Sequence, residues 1–141
     1  MARFVDLVAV EGPDRGMRFT VEEGSYRVIA RAPDAQASTL QMTPDGDRAL
    51  DVEQERLLEQ LAKKSGRSRT AFRRRGPDVV LRDGSVSRTH AMVFVDRDAV
   101  SCADLMSTNG TRVNGAVIND VALQPGDIIH VGKTRLRLED G

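Results

Sequence analysis

Residues 86–115 decide the fold, and they read VSRTHAMVFVDRDAVSCADLMSTNGTRVNG. Two short β-rich runs, residues 91–95 and 100–103, lie between two clusters of small polar residues, 87–90 and 107–115. Further β-rich runs lie on both sides of this stretch, at residues 17–21, 25–29, 79–81, 128–131 and 134–138. Residues that favour tight turns, such as Gly, Pro, Asn and Asp, separate these runs. Short strands at this spacing predict an all-β sandwich or barrel.

Residues 32–77 have a different character. Residues 34–61 include seven acidic and two basic side chains, whereas residues 62–77 include seven basic side chains and no acidic one. Asp51 is a candidate N-cap for a helix that runs to about Lys64, because two glutamates follow in the first turn and two lysines lie in the last. The sequence therefore predicts a charged, partly helical segment between β-rich parts of the chain.

Composition limits the class of protein. The chain has 141 residues, which is the length of one ordinary domain. Its 21 basic residues balance its 21 acidic residues, so no overall charge draws the protein to nucleic acid or to an anionic membrane. The single cysteine, Cys102, cannot form an internal disulfide, and the first residues lack a long apolar run. We expect a cytoplasmic protein that does not associate with membranes.

The two polar clusters combine hydroxyl and amide side chains with arginine and one histidine. Arginine has a planar, permanently charged guanidinium group that forms bidentate hydrogen bonds with phosphate. Hydroxyl and amide groups on turns can bind the same anion, or the peptide that carries it. The clusters indicate a site for an oxyanion, although a single dipeptide such as Asn114-Gly115 is first of all typical of a hairpin turn.

Taken in order along the chain, these motifs resemble the forkhead-associated (FHA) family, whose domains are β-sandwiches that bind phosphothreonine peptides. The resemblance runs through SYRVIAR at residues 25–31, DVVL at 78–81, VSRTHA at 86–91, DLMSTNGT at 104–111 and LQPGDII at 123–129. It implies one FHA domain over residues 1–141, formed by residues 1–31 and 78–141, with residues 32–77 as an insert. It also implies an FHA-type β-sandwich of two packed, mostly antiparallel sheets.

The resemblance also implies roles for individual residues. The residues expected to bind phosphate are Arg31, Ser87, Arg88 and Thr108. Asn109 resembles the amide that binds the peptide main chain. His90 and Gly110 resemble residues that support the site, His90 as a buried ring that hydrogen-bonds neighbouring loops and Gly110 as part of the turn that presents Asn109.

One position departs from the family pattern beside the expected phosphate site. The family commonly has glycine where this chain has Ala30. If that position requires a positive φ, Ala30 strains the loop by about 1 kcal/mol or more and displaces Arg31. The insert follows almost at once, and we expect that it could shape, cover or regulate the site.

The resemblance predicts phosphothreonine-dependent binding of a partner protein downstream of a Ser/Thr kinase, without catalysis. We expect no metal and no cofactor, because the sequence has no clustered metal ligands and no Gly-rich phosphate loop. One alternative is a scaffold of the same fold that binds unphosphorylated protein. Another is nucleic-acid binding through residues 67–75, where five arginines surround Phe72. A phosphorylated Thr70 could also occupy the site of its own or a neighbouring chain.

Overall fold

A computed structural model of the chain describes residues 4–32, 50, 52–64, 73–74, 78–96 and 99–140. The strands are β1 (Phe4–Glu11), β2 (Arg18–Glu22), β3 (Ser25–Arg31), β4 (Arg73–Arg74), β5 (Val79–Leu81), β6 (Thr89–Val95), β7 (Val100–Asp104), β8 (Thr111–Val113), β9 (Ala116–Ile118), β10 (Asp120–Leu123), β11 (Ile128–Val131) and β12 (Thr134–Asp140), and the helix is α1 (Val52–Lys64).

These strands form two sheets. The first sheet has the order β2-β1-β12-β11-β8-β9, and its neighbouring strands are antiparallel. The second sheet has the antiparallel order β10-β7-β6-β3, and β4 and β5 both pair with β3 in parallel. This arrangement confirms the predicted sandwich of two mostly antiparallel sheets with a partly helical insert.

The main core lies between the two sheets. Alternate residues of β6, Ala91, Val93 and Val95, point into it and meet apolar side chains of the first sheet such as Leu7 and Leu136. The intervening residues of β6 are also buried, although they face away from this core. A strand that is buried on both faces needs a cover on its outer side.

Helix α1 supplies that cover. Leu58 is only 2% exposed and packs in a second apolar cluster with Val28, Ala30, Met92 and Leu105. The helix therefore lies against the outer face of the second sheet. Its bounds agree with the predicted helix, while the predicted cap residue Asp51 lies outside the described residues. Within the described part of the chain, no helix is long and apolar enough to cross a bilayer.

Ala30 has no left-handed backbone. Among the described residues other than glycine, only Met106 and Asn114 have a positive φ. Ala30 lies in β3, pairs with Val80, and is fully buried in the cluster beneath α1. The expected strain at this position is therefore absent. The pairing of β3 with β6 shifts register between Ile29 and Ala30, and β3 extends to Arg31.

Candidate functional site

A groove of about 450 Å³ opens where β3 and β7 end and β6 begins. Its walls come from the end of β3, from the loop that precedes β6 (residues 82–88) and from the loop that follows β7 (residues 105–110). The structure brings five of the residues singled out in the sequence together on these walls. They are Arg31, Ser87, Arg88, Thr108 and Asn109.

Arg31 is the last residue of β3 and is held against the 82–88 loop. Its backbone N–H donates to the carbonyl of Ser87 at 3.2 Å, and its Nη1 donates to the carbonyl of Val86 at 3.5 Å. The side chain is partly buried. The guanidinium group therefore lies at the mouth of the groove beside Ser87, where its charge is available to an anion.

Ser87 joins the two loops of the groove. Its Oγ accepts a hydrogen bond from the backbone N–H of Thr108 at 3.0 Å. Because a hydroxyl group both accepts and donates, Ser87 can keep this bond and donate its proton to an anion in the groove. Arg88 and Thr108 are exposed on either side, so their side chains can approach the same ligand.

Asn109 bridges the loops at a second point. Its Nδ2 donates to the carbonyl of Ser85 at 2.9 Å, and the residue is exposed to solvent. A carboxamide has a second N–H and an acceptor oxygen, which are the groups needed to pair with an extended peptide backbone. The position of Asn109 at the rim of the groove suits that role.

His90 lies beneath the groove rather than in it. The ring is fully buried, its Nδ1 accepts from the backbone N–H of Ser87 at 3.0 Å, and its Nε2 donates to the carbonyl of Gly110 at 2.8 Å. Burial lowers the pKa of His90. Because Nδ1 accepts a hydrogen bond, the ring proton lies on Nε2 and the imidazole is neutral. Gly110 has φ +79°, a conformation that favours glycine. Both residues therefore fix the loops that form the site.

A family model described as the FHA domain matches residues 64–132, which include both loops of the groove. The chain contains a forkhead-associated domain. The fold is similar to that of the FHA domain of the CT664 protein from Chlamydia trachomatis, with a TM-score of 0.61 and 23% identity. The alignment covers 99% of this chain and 98% of that one.

Two further matches place this FHA domain among known proteins. The oxoglutarate dehydrogenase inhibitor of Corynebacterium efficiens is 42% identical over 67 residues, which are 48% of this chain and 47% of that protein. The match therefore spans less than half the length of this relative. A structure from a study of phosphothreonine-dependent FHA domain interactions has a TM-score of 0.57 and 24% identity, and the alignment covers 96% of this chain and 95% of that one.

Asp83 supports the FHA groove and was not singled out in the sequence. The residue is 2% exposed and accepts hydrogen bonds from the backbone N–H groups of Ser85 and Lys133, at 2.9 and 2.7 Å, and from the hydroxyls of Ser85 and Thr134. Burial raises the pKa of Asp83, but these hydrogen bonds outweigh burial and leave the pKa lowered. The carboxylate thus ties the 82–88 loop to the β11–β12 hairpin.

Asp104 has the same function for the other loop. It accepts hydrogen bonds from the backbone N–H and hydroxyl of Ser107 and from the hydroxyl of Thr111, the last at 2.8 Å. An aspartate followed closely by hydroxyl residues is a known turn signal, so the sequence carried a hint of this arrangement. The partners of Asp83 on the hairpin, in contrast, are about fifty residues away in sequence.

Other residues bear on the other classes of function. Cys102 is fully buried between the sheets, and burial raises the pKa of its thiol to about 12, so the thiol is not an accessible nucleophile. Among residues with a described placement, no three His, Cys, Asp or Glu side chains cluster as metal ligands. Of the basic stretch 67–75, only Arg73–Arg74 is described, as β4, and Thr70 lies outside the described residues.

Proposed function

We propose that this FHA domain binds phosphothreonine-containing segments of partner proteins and acts downstream of a Ser/Thr kinase. The observation that carries the proposal is the convergence of Arg31, Ser87 and Asn109 on one groove, although Arg31 is more than fifty residues away from the others in sequence. An FHA domain is an interaction module, and binding through this groove needs no cofactor. We also propose that residues 1–31 and 78–141 form the domain, with residues 32–77 inserted.

The chemistry of the groove suits a phosphorylated peptide. A phosphate group carries about −1.5 to −2 charges at pH 7 and three acceptor oxygens. Arg31 supplies a charged donor and Ser87 a hydroxyl donor, while Arg88 and Thr108 flank the same space. Asn109 at the rim pairs with the peptide main chain. The peptide is bound by charge-assisted hydrogen bonds and by contacts that fix its register.

The test is a titration of a phosphothreonine peptide library, with matched phosphoserine and unphosphorylated libraries, against wild type, Arg31→Ala and Arg135→Ala. Arg135 is an exposed arginine of β12 that does not line the groove, so it controls for the loss of one surface charge. Hydrogen bonds to charged groups contribute about 1.5–3 kcal/mol, so we expect Arg31→Ala to weaken phosphothreonine binding roughly ten- to hundredfold. Arg135→Ala should bind like wild type.

Other outcomes would assign the domain differently. Equal binding of phosphorylated and unphosphorylated peptides would contradict the proposal and favour a phosphorylation-independent scaffold. Binding of nucleic acid that persists in Arg31→Ala and falls steeply with salt would instead favour the basic stretch 67–75.

A further inference from the structure

The insert contributes a residue to the FHA groove. Gln54, in the first turn of α1, is 6% exposed and lines the groove together with Arg31 and Ser87. Residues 52–63 lie outside the segment that matches the FHA family model. Gln54, like Arg31, therefore reaches the groove from the part of the chain that precedes the matched segment.

The side chain of Gln54 connects both loops of the groove. Its Nε2 donates to the hydroxyl of Thr89 at 2.8 Å and to the carbonyl of Leu105 at 2.8 Å. An amide nitrogen has two hydrogens, so it can make both bonds at once. Thr89 directly follows the 82–88 loop with Ser87, and Leu105 begins the loop that carries Asn109. One side chain from the insert thus ties the phosphate-binding loop to the peptide-binding loop.

Packing holds Gln54 in this place. Leu58 follows four residues later on the same face of α1, and it is buried in the apolar cluster that contains Ala30 and Leu105. Ala30 immediately precedes Arg31, and Leu105 is the residue whose carbonyl Gln54 binds. The position of the helix is therefore coupled to residues adjacent to the groove on two sides.

We propose that α1 is a working part of the phosphopeptide site, with Gln54 as a positioning residue that sets the distance between the Ser87 and Asn109 loops. This inference rests on the proposed function, because it assigns a control element to the same site. Any change that displaces α1 from the second sheet weakens phosphopeptide binding without altering the residues that bind the phosphate or the peptide main chain. The insert then acts as a regulator of affinity.

The experiment compares Gln54→Met with Gln60→Met, because Gln60 lies on the same helix and is exposed. Methionine keeps the length and helix propensity of glutamine but removes both donors. We expect Gln54→Met to bind a phosphothreonine peptide about tenfold more weakly, a change of about 1.4 kcal/mol, and Gln60→Met to bind like wild type. Affinity is measured at a temperature where circular dichroism shows all variants fully folded.

A second readout separates positioning from general stability. In the free proteins, the amide resonances of Ser87, Thr108 and Asn109 should shift in Gln54→Met and remain in place in Gln60→Met. Wild-type affinity and unshifted loop resonances in Gln54→Met would overturn the inference while leaving the proposed function intact. Absence of phosphopeptide binding by wild type would instead refute the proposed function.

If Gln54→Met does not fold, Gln54→Glu provides the same comparison. A carboxylate can accept from the Thr89 hydroxyl but cannot donate to the Leu105 carbonyl. Wild-type affinity in Gln54→Glu, with Glu59→Gln as the exposed control on the same helix, would also overturn the inference.

Discussion

Replacing Asp83 by asparagine removes one negative charge beneath the groove and keeps the shape of the side chain. One carboxylate oxygen accepts from both donors of Ser85, and the other accepts from the Lys133 N–H and the Thr134 hydroxyl. The asparagine oxygen can keep only one of these pairs. If it keeps the Ser85 pair, the new NH₂ group faces the Lys133 N–H. Both groups can only donate, so the Lys133 N–H loses its acceptor.

The magnitude follows from these bonds. A hydrogen bond to a charged group contributes about 1.5–3 kcal/mol, and a buried donor left without a partner costs about 1–3 kcal/mol. We therefore expect Asp83→Asn to reduce the free energy of unfolding by about 2–4 kcal/mol at pH 7. Glu59→Gln, which neutralises an exposed carboxylate on α1, should change it by less than about 0.5 kcal/mol.

Urea denaturation at pH 7 measures both variants, and a pH series isolates the charge. Because the pKa of Asp83 is lower in the folded state, this carboxylate contributes stability above its ordinary pKa near 3.8, and that contribution is lost as pH falls through the lowered value. Wild type should thus lose more stability between pH 5 and about pH 2 than Asp83→Asn does. Equal losses, or a change below about 0.5 kcal/mol at pH 7, would refute the reasoning.

Three further perturbations test other parts of the structure. Gly110→Ala places a side chain at φ +79° with nothing within 4 Å of the new Cβ, so urea denaturation should show a loss of about 1–2 kcal/mol in the free energy of unfolding. Gly132→Ala should lose more, because its Cβ would lie 2.5 Å from Ser85 Oγ. Burial lowers the pKa of His90, so the free energy of unfolding should be highest above about pH 6.5 and decline as pH falls below it. The absence of this decline in His90→Gln would support the assignment of the decline to His90, and an unchanged decline would contradict it. Leu58→Ala should destabilise the protein by about 2–4 kcal/mol in the same assay, and an effect below about 0.5 kcal/mol would show that α1 is not docked on the sheet.

Local signals in the sequence were enough to predict most of the fold. The β-rich runs predicted seven of the twelve described strands, namely β2, β3, β5, β6, β7, β11 and β12. The runs did not include β1, β4, β8, β9 and β10. Asn114-Gly115 forms the turn between β8 and β9 with φ values of +51° and +88°, which confirms the hairpin interpretation. The charge gradient along residues 52–64 gave the helix, because acidic first turns and basic last turns are favourable in any context.

The groove could be predicted because most of its residues lie in two short motifs that precede and follow one β-hairpin. Gln54 and Asp83 were missed for a common reason. Their partners, Leu105 for the first and Lys133 for the second, lie about fifty residues away in sequence. Periodicity and capping rules describe neighbours along the chain and contain no information on which distant carbonyl or amide a side chain meets.

The docking of α1 also explains the alanine at position 30. The family pattern has glycine there, yet Ala30 lies in β3 without a positive φ, and it packs in the cluster with Leu58. The sequence could not show that a helix would cover this face. The small side chain is explained by the packing of α1 on the outer face of the second sheet.

The most direct test of the central claim is a titration of isotope-labelled protein with N-acetyl-phosphothreonine methylamide, followed by amide NMR. The account predicts that the resonances of Ser87, Thr108 and Asn109 shift progressively, and that the unphosphorylated threonine derivative leaves them unchanged. Shifts confined to the first sheet, or equal shifts with both derivatives, would contradict a phosphothreonine site in this groove.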